Sequence, residues 1–281
     1  MREVFLDIGE LGWSFYLSAH MRWLKFMNKP IPAVIVLDGR ESLYKNLTDK
    51  IWTVPSASIP FDVETQNRFT FHNVSGEMLR KHYSQHLIEG YYISKTQPFD
   101  CQFWHKIYVG QMLFRPYVSD LVWQGIKKNE IHVFPRYRKS KHFAPRNLPK
   151  EFYADLLYKL CDEFPDCIIK IVGTKSGAYD INIDRKNFEN ILGETSIEHL
   201  ISGAPLVRCA IGSQSAPLKL MLLQSVPTFM IGHEKKRHIE TENWMGTRAG
   251  FYEIAKNRYN DFDQYPIENK ICIDKIVEFV K

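Results

Sequence analysis

The chain has 281 residues, of which 44% are hydrophobic and 25% charged, with a net charge of +5. Those proportions exclude a disordered, collagen-like or coiled-coil chain, and no run approaches the roughly 20 apolar residues of a membrane span. The charge is spread over both halves, so nucleic acid is permitted as a partner and not demanded.

The elements follow in chain order. Val4 to Ile8 reads as a short buried strand, followed by a loop Gly9-Glu10-Leu11-Gly12. Trp13 to Met27 carries apolar residues at helical spacing, and Pro30 and Pro32 end that helix. Ala33 to Leu37, AVIVL, is the continuous apolar run of a strand buried on both faces of a parallel sheet. A short helix is expected from Gly39 through Leu47, and a third strand from Lys50 to Val54. This alternation is a doubly wound α/β pattern. Ser56 to Asp100 is polar, aromatic and irregular, with one helix expected near Ser75 to Glu89. Phe103 to Val109 reads as a strand and Gln111 to Ile126 as a helix. The polar break Lys127-Lys128-Asn129-Glu130 gives a domain boundary, with residues 1–128 in one domain and 129–281 in the other.

The second half restarts the rhythm. Strands are expected at Ile131–Phe134, Cys167–Val172, Phe188–Leu192, Leu206–Ile211 and Pro227–Ile231. Helices are expected at Pro149–Phe164, Ser196–Ser202 and Pro217–Gln224, and Ile267–Lys281 reads as a terminal helix or as a short strand and then a helix. The fold class is therefore α/β, with two Rossmann-like domains facing a cleft. Ligands of such sheets bind beyond the carboxyl ends of the strands.

Four loops carry chemistry. The strand-to-helix loop Ile211-Gly212-Ser213-Gln214-Ser215-Ala216-Pro217 offers small residues and a helix N-terminus that suits phosphate. Its simpler reading is a capped helix without a ligand. The loop 135–147, PRYRKSKHFAPRN, places Arg136, Arg138 and Lys139 after a strand with no acid among them, and Arg forks suit phosphate oxygens. A second basic cluster, His233 to His238, also follows a strand. Together they suggest a diphosphate site, although neither a Walker lysine pattern nor GxGxxG is present. Glu10, in the Gly-flanked loop after the first strand, is placed for a general base, or else for a helix-capping acid.

Five cysteines, at 101, 161, 167, 209 and 272, have no CxxC and no zinc-like spacing, so reduced thiols in a cytoplasmic protein are expected. MREVFLDIGELGW lacks the uninterrupted apolar stretch of a cleaved signal peptide. The histidines make no ligand spacing, and neither a metal nor a cofactor is expected.

The second half resembles the nucleotide-sugar domain of GT-B glycosyltransferases of the heptosyltransferase kind. IHVFPRYRKSKHFAPRNLP at 131–149 is similar to the family's strand, basic loop and R-N-W-P helix start, with Leu148 in place of Trp. NILGETS at 190–196 looks like its short Gly-bearing segment. GSQSAPLKLMLLQSVP at 212–227 resembles G-x-S-S-G-P-x-H-L-A followed by a later Pro, with Ala216, Lys219 and Met221 replacing Gly, His and Ala. GELGW at 9–13 with GRESLYKNLTD at 39–49 is similar to further proteins of this kind. The resemblance covers residues 131–231 and, more weakly, 1–55.

What the resemblance implies is a nucleoside-diphosphate sugar as co-substrate, held by the C-terminal domain, and a glycan or lipid-linked acceptor held by the N-terminal one. Arg136, Arg138 and Lys139 would face the diphosphate, with Gly212, Ser213, Gln214, Ser215 and Lys219 around the helix start. The activity implied is metal-independent sugar transfer, hexosyl or heptosyl, in glycan or surface polysaccharide synthesis. The family's general base is an Asp directly after the loop's second Gly. Trp13 stands there, and Glu10 is the nearest replacement. Three other readings remain open: a non-catalytic binder of nucleotide sugar or glycan, a DNA-base glucosyltransferase, and a sugar-nucleotide epimerase.

Overall fold

A computed structural model describes residues 1–9, 11–58, 61–62, 67–68, 76–85, 87–94, 128–138, 147–224, 226–232, 248–253 and 269–281. The chain divides into two units, Met1–Val118 and Ser119–Lys281.

In the first unit, β1 (Arg2–Asp7), β2 (Ala33–Leu37), β3 (Ile51–Val54) and β6 (Tyr91–Ile93) form one sheet in the order β3-β2-β1-β6. All three pairings are parallel. Val4, Leu6, Ala33, Ile35 and Ile93 pack together on one face. Phe5, Val34 and Val36, which alternate with them, are buried too, so the sheet is covered on both sides as its apolar runs require. The helix α1 (Leu11–Phe26) buries Ser14, Phe15, Leu17, Ser18 and Met21, a face spaced three and four residues apart. Its end is a Schellman turn. Asn28 takes the left-handed conformation at φ 52°, Asn28 N–H donates to Lys25 O, and Lys29 N–H reaches back to Leu24 O at 2.9 Å.

The helix expected over 39–47 is not formed. Only a 3₁₀ turn, Glu41–Leu43, stands there. Gly39 at φ 81° and Asn46 at φ 75° fence the segment, and the buried Tyr44 is drawn inward to Asp7. Sequence patterning also passed over β6 and a two-residue hairpin, β4 (Phe61–Asp62) with β5 (Asn67–Arg68). The helix expected near 75–89 is α2 (Gly76–Ser84). The strand expected at 103–109 and the helix expected at 111–126 lie outside the described residues.

The second unit holds a six-stranded parallel sheet: β7 (Glu130–Phe134), β8 (Ile168–Ile171), β9 (Phe188–Asn190), β10 (Val207–Ser213), β11 (Thr228–Gly232) and β12 (Ala249–Glu253). Their order is β12-β11-β10-β7-β8-β9. Counted from the unit's own start this is 3-2-1-4-5-6, the dinucleotide-fold order, with its reversal between β7 and β10. The helix α3 (Lys150–Glu163) buries Phe152, Tyr153, Leu156, Leu157, Leu160 and Cys161 on a single stripe. The helix α4 (Ile197–Gly203) opens with Ser196, whose hydroxyl accepts from His199 N–H while the His199 ring accepts from Ser196 N–H. The helix α5 (Ala216–Leu223) follows β10, and α6 (Asn269–Val280) packs Cys272, Ile273, Ile276, Val277 and Val280 into the same core as α3. The strand β12 was not anticipated. Its sequence, AGFYE, carries no apolar run to announce it.

Candidate functional site

In sheets of this order ligands bind beyond the carboxyl ends of the strands where the order reverses, which here are β7 and β10. Gly212 and Phe134 are partners across those two strands. A Cβ on Gly212 would fall 2.7 Å from Phe134 O, so only glycine lets the strands meet this closely. Beyond them the chain leaves β7 as Pro135-Arg136 and leaves β10 as Gln214-Ser215. Arg136 and the start of α5 thereby reach the same sheet edge.

Arg136 is 7% exposed. Its Nη1 donates to Asn147 Oδ1 at 2.7 Å. The same oxygen accepts from Arg138 N–H at 3.0 Å, and Asn147 Nδ2 donates to Arg138 O at 2.9 Å. Asn147 thus pins both ends of the Arg-bearing segment. On its other side, Tyr137 N–H donates to Gly177 O and Tyr179 N–H to Pro135 O. Arg138 is exposed, with its guanidinium lying over Gly177.

At the facing loop, Ser213 is fully buried and accepts a hydrogen bond from Tyr153 Oη at 3.3 Å. Burial pushes the Tyr153 hydroxyl up to about 12, while Ser213 and the positive charge of Arg136 act the other way. Ser215 is the N-cap of α5, and its hydroxyl accepts from Leu218 N–H at 3.4 Å. That side chain is committed to the helix. What α5 offers a ligand is its first backbone N–H groups and the positive end of its dipole. Gln214 lies against Gly232 at the end of β11, and Lys219 is half-buried in the first turn and a half of α5. Of the sequence candidates, the structure therefore gathers Arg136, Arg138, Gly212, Ser213, Gln214, Ser215 and Lys219 at one edge of one sheet. Glu10, Lys139 and the cluster at His233–His238 lie outside the described residues.

A second arrangement escaped sequence reasoning. Asp7 ends β1, is 2% exposed, and is ringed by donors: Ser14 Oγ at 2.8 Å, Tyr44 Oη at 2.7 Å and Arg40 Nη1 at 3.2 Å. Arg40 Nη1 also reaches Ser14 Oγ at 3.0 Å. Burial first, and then the neighbouring Asp7, hold the Tyr44 hydroxyl well above its ordinary range. With three donors upon it, Asp7 is a structural anchor rather than a base. The signal was present, since Asp7 is the one acid in the otherwise apolar run Val4–Ile8, and a buried charge demands partners.

Among the described residues, no three His, Cys, Asp or Glu side chains come together as metal ligands. No helix there is long and apolar enough to cross a membrane. Cys161, Cys167, Cys209 and Cys272 are free and buried. Burial raises the thiols of Cys209 and Cys272 to about 12, which makes them poor nucleophiles.

No protein-family model matches the chain, and no curated protein matches its sequence. In structure the chain is similar to a glycosyl transferase family 9 protein from Veillonella parvula, with a TM-score of 0.60 at 10% identity, covering 99% of this chain and 97% of that one. It is similar to the Escherichia coli ADP-heptose lps heptosyltransferase II, with a TM-score of 0.52 at 13% identity, covering 100% and 98%. It is also similar to the E. coli heptosyltransferase WaaC solved with ADP, with a TM-score of 0.52 at 10% identity, covering 99% and 100%. At such identities the likeness is one of fold. The fold is that of GT-B glycosyltransferases, with two Rossmann-like parallel sheets.

Proposed function

We propose that this chain is a glycosyltransferase that moves a sugar from a nucleoside-diphosphate donor to a hydroxyl of a glycan or lipid-linked acceptor. The observation that carries this reading is the placement of Arg136 and the N-terminus of α5 at one sheet edge, on either side of the strand-order reversal between β7 and β10. A buried, oriented guanidinium opposite a helix N-terminus is suited to a diphosphate. One structural neighbour was solved with ADP, which supports a nucleotide as ligand.

In the proposed reaction the acceptor O–H gives its proton to the Glu10 carboxylate. The acceptor oxygen bonds to the anomeric carbon as the bond from that carbon to the β-phosphate oxygen breaks. The electron pair stays on the leaving diphosphate. Arg136, Arg138 and Lys139, with the first N–H groups of α5, supply the positive field that stabilises this charge. These cations would serve in place of a metal. A single displacement of this kind inverts the anomeric centre. Four buried thiols suit a reducing compartment, and we place the reaction in the cytoplasm.

The second reading is a non-catalytic nucleotide-sugar binder. It is favoured by Trp13, which stands where the resembled family has its basic Asp. A panel of nucleoside diphosphates in a thermal-shift assay, followed by turnover of the matching nucleotide sugars, separates the two. Stabilisation by one diphosphate with release of that diphosphate from its sugar supports the transferase. Stabilisation without any release supports the binder, and no stabilisation by any nucleotide ends both.

A further inference from the structure

We infer that the amino edge of the first sheet is a docking surface for an anionic lipid bilayer. The inference rests on that edge alone and goes beyond the proposed transfer reaction.

In a parallel sheet every segment entering a strand lies at the same edge. In the first unit those segments are 26–32 before β2, 44–50 before β3, and 87–90 before β6. Arg2 ties all three together. Its guanidinium donates to Ile31 O at 3.0 Å and to Thr48 Oγ1 at 3.0 Å, and its backbone N–H donates to Gly90 O at 2.7 Å. Lys25 Nζ adds a bond to Asn46 O at 2.7 Å. The segments are therefore one continuous, braced surface.

That surface shows apolar side chains to solvent. Phe26 is 68% exposed, Met27 48% and Ile88 53%. They are not on loose chain. Phe26 and Met27 sit inside the Schellman turn that ends α1, where the left-handed Asn28 and the Lys29-to-Leu24 bond fix the backbone. The same edge carries Lys25, at the end of α1, and Lys29 and Lys45 on the entering segments, all exposed, with the half-exposed Lys50. The acids of the same segments are Asp49, which is in an ion pair with Arg2 at 2.6 Å, and Glu89.

Charge decides the occupant. An edge that carries exposed apolar side chains and a surplus of lysines repels a second copy of itself, since an isologous pair would set like charges against one another. An anionic bilayer satisfies both features at once. Phe26, Met27 and Ile88 enter the interface, and the lysines meet the lipid phosphates. Two weak signals of this kind give reversible binding that salt weakens.

The experiment is co-sedimentation of the full chain with vesicles of equal parts phosphatidylglycerol and phosphatidylcholine, against vesicles of phosphatidylcholine alone, at low and high salt. The chain is expected to bind the anionic vesicles at low salt. The Lys25→Gln/Lys29→Gln variant should lower partition about fivefold per lysine. Phe26→Ser should lower it about tenfold. Lys186→Gln/Lys270→Gln, an equal charge change on exposed lysines of the second unit, should leave partition unchanged. Melting temperature and nucleoside-diphosphate affinity are measured on every variant, so that a folding defect or failure of the nucleotide site is seen separately. No binding to anionic vesicles overturns the inference, as does an equal loss in the second-unit control. Sedimentation without vesicles that Phe26→Ser abolishes would assign the edge to self-association and overturn it too.

Discussion

Asn147 holds Arg136. One amide oxygen accepts both the Arg136 guanidinium at 2.7 Å and the Arg138 backbone N–H at 3.0 Å, which fixes the direction in which the loop after β7 leaves the sheet. The two residues have separable roles, since Arg136 carries charge and Asn147 only places it. Arg136→Lys should keep the fold near its native stability and lose the planar fork, weakening nucleoside-diphosphate binding by about 1.5–3 kcal/mol. Asn147→Ala should weaken the same binding and lower the melting temperature as well, because it leaves a nearly buried guanidinium without that acceptor. Calorimetric titration and a melting curve on each variant check both, and native affinity in Arg136→Lys would remove Arg136 from the site.

The first turn of α5 offers a test in which stability and binding move in opposite directions. Ala216→Asp places a negative charge at the first helical position, where the dipole favours it by about 0.3–1 kcal/mol. The same charge repels a diphosphate, so affinity should fall at least about tenfold, or roughly 1.4 kcal/mol. A raised or unchanged melting temperature with lost nucleotide binding is the expected pair of results. Retained binding would reduce the loop to a helix cap.

Gly212 is required by the close meeting of β10 and β7. With a Cβ set 2.7 Å from Phe134 O, Gly212→Ala must push the two strands apart. The expected cost is about 1–3 kcal/mol of stability. For a chain of this size that is roughly 2–4 °C in melting temperature for each kcal/mol. Nucleotide affinity should fall with it, because the gap lies between Arg136 and α5. An unchanged melting temperature would contradict the packing described.

Glu130 gives a pH prediction with a definite sign. Hydrogen bonding from His132 at 2.8 Å, and then from Lys170 at 2.7 Å, lowers its carboxyl from an ordinary 4.5 to about 2. A carboxyl depressed on folding stabilises the native state fully above its unfolded value and loses that stabilisation as pH falls through the folded one. Glu130→Gln should therefore cost roughly 2 kcal/mol near neutrality, with the cost shrinking between about pH 4.5 and pH 2. Urea midpoints of both proteins at pH 6 and pH 3 measure it. A cost that does not change with pH would show that the pair is not ionic.

Glu10→Gln tests the proposed base. Gln keeps the shape and removes the basicity, so donor binding should persist while transfer falls roughly 10²–10⁴-fold. A structural Glu10 would instead show altered melting with full turnover per folded molecule. Both are read on the same preparation.

Much of this was legible in the residues themselves. AVIVL could only be a strand buried on both faces, and the α3 stripe from Phe152 to Cys161 follows helical spacing. Ser215 before Ala216-Pro217 marked a helix start, and the resemblance between 131 and 231 pointed to the fold the structure has. These features are local, since periodicity and capping act within a turn or two of chain. What the sequence left open depends on partners far along the chain. The strand β6 is short and reveals itself only by pairing with β1, while β12 does so by pairing with β11. The helix expected at 39–47 gave way because Tyr44 bonds Asp7, 37 residues away. Arg136 read as one cation among several in a basic loop, and only the strand order brings it opposite α5. Phe26 at the far edge read as the end of a helix carrying apolar residues, and only the fold shows Arg2 joining three loops beside it. Sequence sets which side chains are apolar, charged or turn-forming, whereas the tertiary fold alone decides which of them share an edge.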